Sequence, residues 1–525
     1  MSTFHSIFTS TSESTSPAII IPQNGLIISY SALLHLIDTF QNQLLQQQLK
    51  KQDVVSIVLP NSLEFTVSFL GVALQSNIAA PLNPAYSEDE FKFYLKDSNS
   101  KVVIVPKGWL NNDGGNNNNA AIKAAKALGV GIVEISWDHQ NQTIKLDSEN
   151  NSNSNNQSNK IIIKADQSDV ALLLHTSGTT GRPKGVPLTH LNITTTMKNI
   201  IKTYKLQSSD SSYLVMPLFH VHGLIGGMLS TLLSGGTAVI PLRFSASHFW
   251  NDFLKYGCTW YTAVPTIHQI LLKHPPPPNG TPKLKFIRSC SSSLAPSTLH
   301  QLEKAFKAPV LEAYAMTEAA HQMTSNPLPP LPHKPGSVGF GQGVQISILD
   351  QDGNTTVKEE VEGEVCIKGL NVTAGYLNNP SANASSYTKD GWFRTGDQGK
   401  LDKDGYLFLT GRIKELINRG GEKISPLEID SVLLSHQGIS EAVSFAVPDQ
   451  LYGQEVHAAV VLKEGGDKSL SEKEIQYYCQ EKLAKFKVPK KIYFTKVMPK
   501  TATGKIQRKN ICEKFFKSPE TKSVL

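Results

Sequence analysis

One ten-residue run concentrates groups suited to holding phosphate: Thr176-Ser177-Gly178-Thr179-Thr180-Gly181-Arg182-Pro183-Lys184-Gly185. Glycines let a backbone close around an anion and turn successive N–H groups inward. The hydroxyls of Thr176, Ser177, Thr179 and Thr180 add short donors, and Lys184 adds a mobile positive charge. The chemistry this predicts is a cradle for the β- and γ-phosphates of a nucleotide. A proline precedes Lys184 and no Ser or Thr follows it, so the run is not the pattern G-x-x-x-x-G-K-[ST]. Nor does it contain G-x-G-x-x-G, the dinucleotide fingerprint. A flexible surface loop shares this composition. Such a linker needs neither Lys184 nor the apolar approach of Ala171 to Leu174.

Three further clusters gain meaning beside that loop. In Glu312-Ala313-Tyr314-Ala315-Met316-Thr317-Glu318 the plain reading is a strand ending in a polar turn. Nucleoside triphosphates arrive with Mg²⁺, which takes carboxylate oxygens and water, and Glu318 offers one such oxygen. In Trp392-Phe393-Arg394-Thr395-Gly396-Asp397 the plain reading is a turn. An ionised Asp397 also suits two vicinal ribose hydroxyls, and 15 positions later Arg412 supplies a planar donor fork. The last cluster, Pro499 to Arg508, reads as a basic tail except that Thr503-Gly504-Lys505 makes a tighter turn than a tail requires.

These groups need scaffolding. A chain of 525 residues exceeds one ordinary core, and 40% hydrophobic residues with 37 glycines and 29 prolines fit an α/β protein of two or more domains. Leu33, Leu36, Ile37, Phe40 and Leu44 repeat at helical spacing, and Val54 to Leu59 and Val102 to Val105 read as strands. Ser87-x-x-Glu90 and Ser471-x-x-Glu474 are capping boxes, and Ser425-Pro426-x-Glu428 combines an N-cap, a proline at N1 and a box glutamate. Alternating helix and strand imply parallel sheets covered by helices. A boundary near Gly411 to Lys414 predicts a large domain over 1–411, with α/β sheets and a smaller β subdomain, and a small mobile α+β cap over 412–525. The asparagine-rich stretches 111–119 and 148–159 and the prolines 275–278 read as exposed insertions.

Charge and cysteine usage exclude several classes. A net charge of +7 with no dense basic stripe suits small anions rather than nucleic acid. Five scattered cysteines give neither metal-ligand spacing nor an even set for disulfides, so a reducing compartment is expected. Residues 211–242 carry no Asp, Glu, Lys or Arg, yet Pro217, His220, His222 and the Gly235-Gly236 pair interrupt them. A buried helix and strand is therefore expected there rather than a membrane span. The C-terminal Ser523-Val524-Leu525 matches the peroxisomal S-K-L address only at its ends, so the cytoplasm is expected, with the peroxisome as the alternative.

Taken in order, the phosphate loop, the Tyr314–Glu318 cluster, Asp397, Arg412 and the Lys505 turn resemble the adenylate-forming superfamily of acyl-CoA synthetases, luciferases and peptide-synthetase adenylation domains. The resemblance spans nearly the whole chain and is strongest to the plant oxalate–CoA ligases, near the 4-coumarate–CoA ligases. It implies ATP, Mg²⁺ and CoA as cofactors and co-substrates, a small carboxylic acid as substrate, and no obligate protein partner. It implies that Thr176, Ser177, Gly178, Thr179, Thr180, Lys184, Glu312, Ala313 and Tyr314 bind ATP or AMP, with Tyr314 flanking the adenine and Thr317 at an α-phosphate oxygen. Glu318 would hold Mg²⁺, and Asp397 and Arg412 the ribose. Lys505 would reach across the domain interface to the carboxylate and α-phosphate, Lys414 would be the hinge, and Arg243, Gly420 and Gly421 would meet CoA.

The acid pocket is predicted from Phe219-His220-Val221-His222, Ser289 to Ser292 and His321. Imidazoles and hydroxyls suit a second carboxylate, whereas a fatty or aromatic acid wants apolar walls. His220, Ser291 and His321 are the expected contacts, with His220 also in the catalytic set. The competing reading has His220 gate the pocket and His222 pack in the core. A coumarate-type or fatty acyl–CoA ligase, adenylation without CoA, and a non-catalytic nucleotide-binding protein stand as alternatives.

Overall fold

The computed structural model describes residues 3–110, 119–148, 162–176, 183–278, 280, 282–350, 355–356, 358–463, 470–500 and 506–516. Short apolar runs become the middles of two large sheets. Val54–Ile57, Ile78–Pro81 and Ser100–Pro106 lie parallel in a seven-stranded sheet that ends on the antiparallel pair Val170–Thr176 and Lys184–Thr189. Strands of this kind, covered on both faces, read as continuous runs of Val, Ile and Ala. A nine-stranded sheet sets Ser211–Leu214, Trp260–Ala263, Phe286–Cys290 and Val310–Met316 side by side and parallel, and His321–Ser325 turns back antiparallel to the last of them. Parallel alignment gathers the ends of these strands at one edge, where ligands of open α/β sheets bind.

The uncharged stretch forms a strand, a π-helix over His222–Leu229 that is buried throughout, and a short helix and strand beyond it. Among the described residues no helix is long and apolar enough to cross a membrane. Helix Tyr30–Leu44 buries Leu33, Leu36, Ile37, Phe40 and Leu44, as their spacing predicts. Both capping boxes close: Ser87 accepts from the Glu90 N–H while Glu90 returns to the Ser87 N–H at 2.8 Å, and Ser471 and Glu474 do the same. The third departs from expectation. Ser425 accepts from the Glu428 N–H, but the Glu428 carboxylate pairs with Lys487 at 2.8 Å rather than returning to its cap. A full cation within reach outcompetes a neutral amide for a carboxylate.

A five-stranded antiparallel sheet that includes Gly363–Lys368, Phe393–Leu401 and Leu407–Arg412 supplies the smaller β unit. After the 3₁₀ turn Ile413–Glu415 a separate sheet begins, with Ile417, Ile424, Ile429, Leu433, Val456, Val460, Ile475 and Ile492 closing a core of their own. The architecture is thus a large N-terminal α/β domain and a smaller C-terminal domain. Most of the two asparagine-rich insertions lies outside the described residues.

Candidate functional site

Thr176 and Lys184 face each other across the antiparallel pair, so the described ends of the ten-residue run stand side by side as two feet. Ser177, Gly178, Thr179 and Thr180 lie outside the described residues, as does Lys505. The backbone bridge between Lys500 and Ile506 brackets the Lys505 segment.

From the second foot, a chain of contacts leads to the predicted metal ligand. The Lys184 ammonium sits 4.1 Å from the centre of the Tyr376 ring. The Tyr376 hydroxyl donates to Glu318 Oε1 at 2.8 Å. Burial, and after it the Glu318 charge, pushes the Tyr376 phenol far above its ordinary range, so it remains a donor. Glu318 itself is buried in the short turn that follows the Val310–Met316 strand, and its backbone carbonyl accepts from the Thr373 N–H at 2.7 Å. Its Oε2 has no hydrogen-bond partner among the described residues, so one oxygen remains for a cation. That fits Mg²⁺, which takes one or two protein carboxylates and completes its shell with phosphate oxygens and water. Sequence reasoning missed Tyr376; it lies 58 residues from Glu318 and in no motif that spacing reveals.

Tyr314 lies on the same strand, inside the fold. Its hydroxyl donates to Asp397 Oδ2, and Arg412 Nε lies 3.1 Å from Asp397 Oδ1. Asp397 and Arg412 are direct partners across an antiparallel ladder, which explains how residues 15 apart meet. Burial, reinforced by the Asp397 charge, raises the Tyr314 phenol far above normal. The surrounding protein disfavours the Arg412 cation even though its side chain is about half exposed, but Asp397 and then Tyr314 outweigh that and hold the guanidinium charged. Ala313 is buried on the strand. Glu312, predicted with the nucleotide ligands, has its carboxylate inside the fold, accepting from the Gly336 N–H at 3.0 Å and the Leu294 N–H at 3.4 Å. Burial pushes its pKa up to about 7.

The acid pocket residues divide into two groups. His220 and Thr317 line one cleft together with Leu82, Tyr86, Tyr94, Leu174, His175 and Phe219. Ser291 and His321 belong to a polar array whose histidine is His222. His222 Nδ1 lies 3.0 Å from Ser291 Oγ, His222 Nε2 lies 2.7 Å from Thr262 Oγ1, and the His222 and His321 rings stack with centroids 5.3 Å apart. At the centre is Arg288, another residue that sequence reasoning missed. It reaches His321 Nε2 at 3.0 Å, Thr262 Oγ1 at 3.2 Å, Tyr204 Oη at 2.8 Å and Gln322 Oε1 at 3.2 Å. Arg288 is 0% exposed, His321 1%, Thr262 2% and His222 3%. Its one sequence signal is a charge inside the apolar strand Phe286–Cys290. Gly226 of the π-helix makes room for the array, since a Cβ there would stand 2.3 Å from His321 Nε2.

The CoA candidates lie apart from these networks. Gly420 and Gly421 form the turn between Ile417–Arg419 and Glu422–Ile424, with φ of +60° and +96°. A two-residue hairpin with both φ positive selects glycine on backbone grounds alone. Arg243 and Lys414 are exposed. Beside Lys414, Glu415 lies 3.2 Å from Arg508 Nε, and Arg508 also binds the buried Asp430 at 3.0 Å.

Residues 10–377 match the AMP-binding enzyme family, and residues 428–505 match the AMP-binding enzyme C-terminal domain. The chain is 50% identical to the oxalate–CoA ligase of Saccharomyces cerevisiae, covering 98% of this chain and 97% of the yeast protein. It is 49% identical to the oxalate–CoA ligase of Arabidopsis thaliana, covering 94% of each. Among solved structures, ATP-bound MatB from Rhodopseudomonas palustris superposes with a TM-score of 0.86 at 27% identity, covering 98% of both chains.

Proposed function

The chain belongs to the AMP-binding enzyme family, and from that premise we propose that it is an AMP-forming acid–CoA ligase whose acid is oxalate. The observation that carries the choice of acid is the buried array of Arg288, His321, His222 and Ser291, polar where a fatty or aromatic acid needs an apolar wall. Near-half identity to oxalate–CoA ligases of yeast and Arabidopsis supports the same acid.

A carboxylate is a poor acyl donor because oxide is a poor leaving group. The enzyme first lets a carboxylate oxygen attack the α-phosphorus of ATP, expelling pyrophosphate and leaving acyl-AMP. The CoA thiolate then attacks the acyl carbon and AMP departs. Negative charge accumulates while two anions meet, so positioning and fixed positive charge supply most of the catalysis. Thr176, Lys184 and the loop between them hold the pyrophosphate end. Thr317 binds an α-phosphate oxygen, Tyr314 flanks the adenine, and Asp397 with Arg412 holds the ribose. Mg²⁺, when bound at Glu318, neutralises phosphate charge. Lys505 brings an ammonium to the attacking carboxylate and the α-phosphate.

In this reading the cap comprises 412–525 and turns about Lys414 between the two half-reactions. The turn withdraws Lys505 and brings Gly420 and Gly421 to the pantetheine path, where Arg243 of the large domain also meets CoA. His220 lines the entrance beside Thr317, and Ser291 and His321 face the distal carboxylate. Cytoplasmic residence is the primary reading and peroxisomal import the alternative. A fluorescent fusion with the last three residues free or masked separates them.

The deciding experiment is CoA-thioester formation across oxalate, malonate, 4-coumarate and medium-chain fatty acids. Oxalate is expected to give the highest kcat/KM. Preference for any monocarboxylate overturns the assignment.

A further inference from the structure

Arg288 is a fully buried cation, and none of its partners among the described residues is a carboxylate: it binds two hydroxyls, one amide oxygen and one imidazole nitrogen. Guanidinium can only donate hydrogen bonds. That one-way character propagates. Thr262 Oγ1 accepts from Arg288, and its only other hydrogen-bond partner among the described residues is His222 Nε2 at 2.7 Å. The Thr262 proton therefore goes to His222 Nε2. A neutral imidazole accepting at Nε2 carries its proton on Nδ1, which lies 3.0 Å from Ser291 Oγ. Ser291 Oγ accepts that bond, and its own proton then has no acceptor among the described residues. A doubly protonated His222 would set its N–H against the Thr262 hydroxyl beside a guanidinium and leave the threonine proton unpaired.

Ser291 is the one member of this chain that is not fully buried. It follows the strand Phe286–Cys290 at the sheet edge that also ends in Met316 and Thr317. Its φ is +74° and that of His321 is +101°, a region costly for residues with a Cβ and occupied where surrounding structure holds the side chain to a task.

We propose that Arg288 and Thr262 are positioning residues that set the direction of the chain Arg288 to Thr262 to His222 to Ser291, so that the Ser291 hydroxyl meets the far carboxylate of the substrate as a donor. The inference rests on the dicarboxylate reading above. Arg288 further contributes a standing positive charge that no carboxylate among the described residues pairs with, which favours a dianion over a monoanion of the same size.

Thr262→Val keeps the shape and removes the hydroxyl; Thr262→Ser restores it. In the full-length enzyme, Thr262→Val is expected to raise KM for oxalate about tenfold, leave KM for ATP unchanged, and narrow the discrimination between oxalate and glyoxylate, while Thr262→Ser returns all three toward wild type. An unchanged KM for oxalate, a parallel rise in KM for ATP, or a serine variant as impaired as valine overturns the proposal. Should the valine variant fail to fold, ¹⁵N NMR of histidine-labelled wild type, with the His222 signal assigned through His222→Gln, tests the same claim. A neutral Nδ1–H tautomer is expected, and an Nε2–H tautomer overturns it. Wild-type preference for a monocarboxylate reports instead on the substrate reading, since it needs no variant.

Discussion

At the nucleotide end of the site the buried Asp397 is paired with the Arg412 guanidinium and the Tyr314 hydroxyl, and Glu318 takes the Tyr376 hydroxyl and keeps one oxygen for a cation, while Lys184 rests on the face of that ring. At the acid end Arg288 is as buried as any of them and, among the described residues, meets only neutral acceptors. A balanced network holds its geometry with or without ligand and recognises by shape and by hydrogen bonds. An unbalanced one carries a potential that an anion relieves. On the proposed reading the two ends divide the work: the first reads a nucleotide by its hydroxyls and phosphates, and the second reads an acid by its charge.

The sharpest way to break this division is Lys505→Ala. Losing a cation that, in the proposed mechanism, acts only on the first transition state is expected to slow acyl-AMP formation by about 10²–10³ or more, read as pyrophosphate release, while thioester formation from supplied acyl-AMP persists. Equal loss of both half-reactions would mean that one set of residues serves both steps. Next in size, Asp397→Ala is expected to raise KM for ATP by about 10–100-fold with KM for oxalate little changed. A matching rise in both would show the two ends to be one coupled network. Ser291→Ala tests the converse: KM for oxalate is expected to rise about tenfold with KM for ATP unmoved, measured in the same steady-state assay.

The smallest effect is read in stability. Between the two ends Glu312 accepts from the Gly336 and Leu294 N–H groups. Burial raises its carboxyl from 4.5 to about 7. The folded chain therefore keeps a proton that the unfolded chain has released. Its contribution is whole below about pH 4.5, declines as pH rises, and is gone past about pH 7, an amplitude of about 3 kcal/mol at most. Glu312→Gln is expected to flatten that part of the profile, checked by denaturation midpoints at pH 5, 6 and 7.5. An unaltered slope would assign the pH dependence to other groups.

Local physics was legible along the chain. The Ser87 and Ser471 capping boxes, the buried face of Tyr30–Leu44 and the uncharged π-helix segment each follow from neighbours within a turn or two. The Glu428 side chain was misjudged because its competitor, Lys487, is 59 residues away. Arg288, Thr262 and Tyr376 escaped for the same reason: Arg288 meets His321 from 33 positions away and Thr262 meets His222 from 40. The phosphate loop and the Lys505 turn were recognised by composition, and the geometry of Ser177 to Thr180 and of Lys505 lies outside the described residues.

The order of amino acids by itself determined which functional groups the chain owns, where its helices start and stop, and that apolar runs of strand type would stack in parallel. These follow from propensity, capping and hydrophobic period, all of which act over a few residues. Only the tertiary structure decided that His222 rather than His220 joins Ser291 and His321, that Asp397 is met by Tyr314 and Arg412, and that Arg288 lies buried without a carboxylate. Pairing, tautomer and charge balance depend on atoms brought together from distant parts of the chain, and no local spacing encodes which of them will meet.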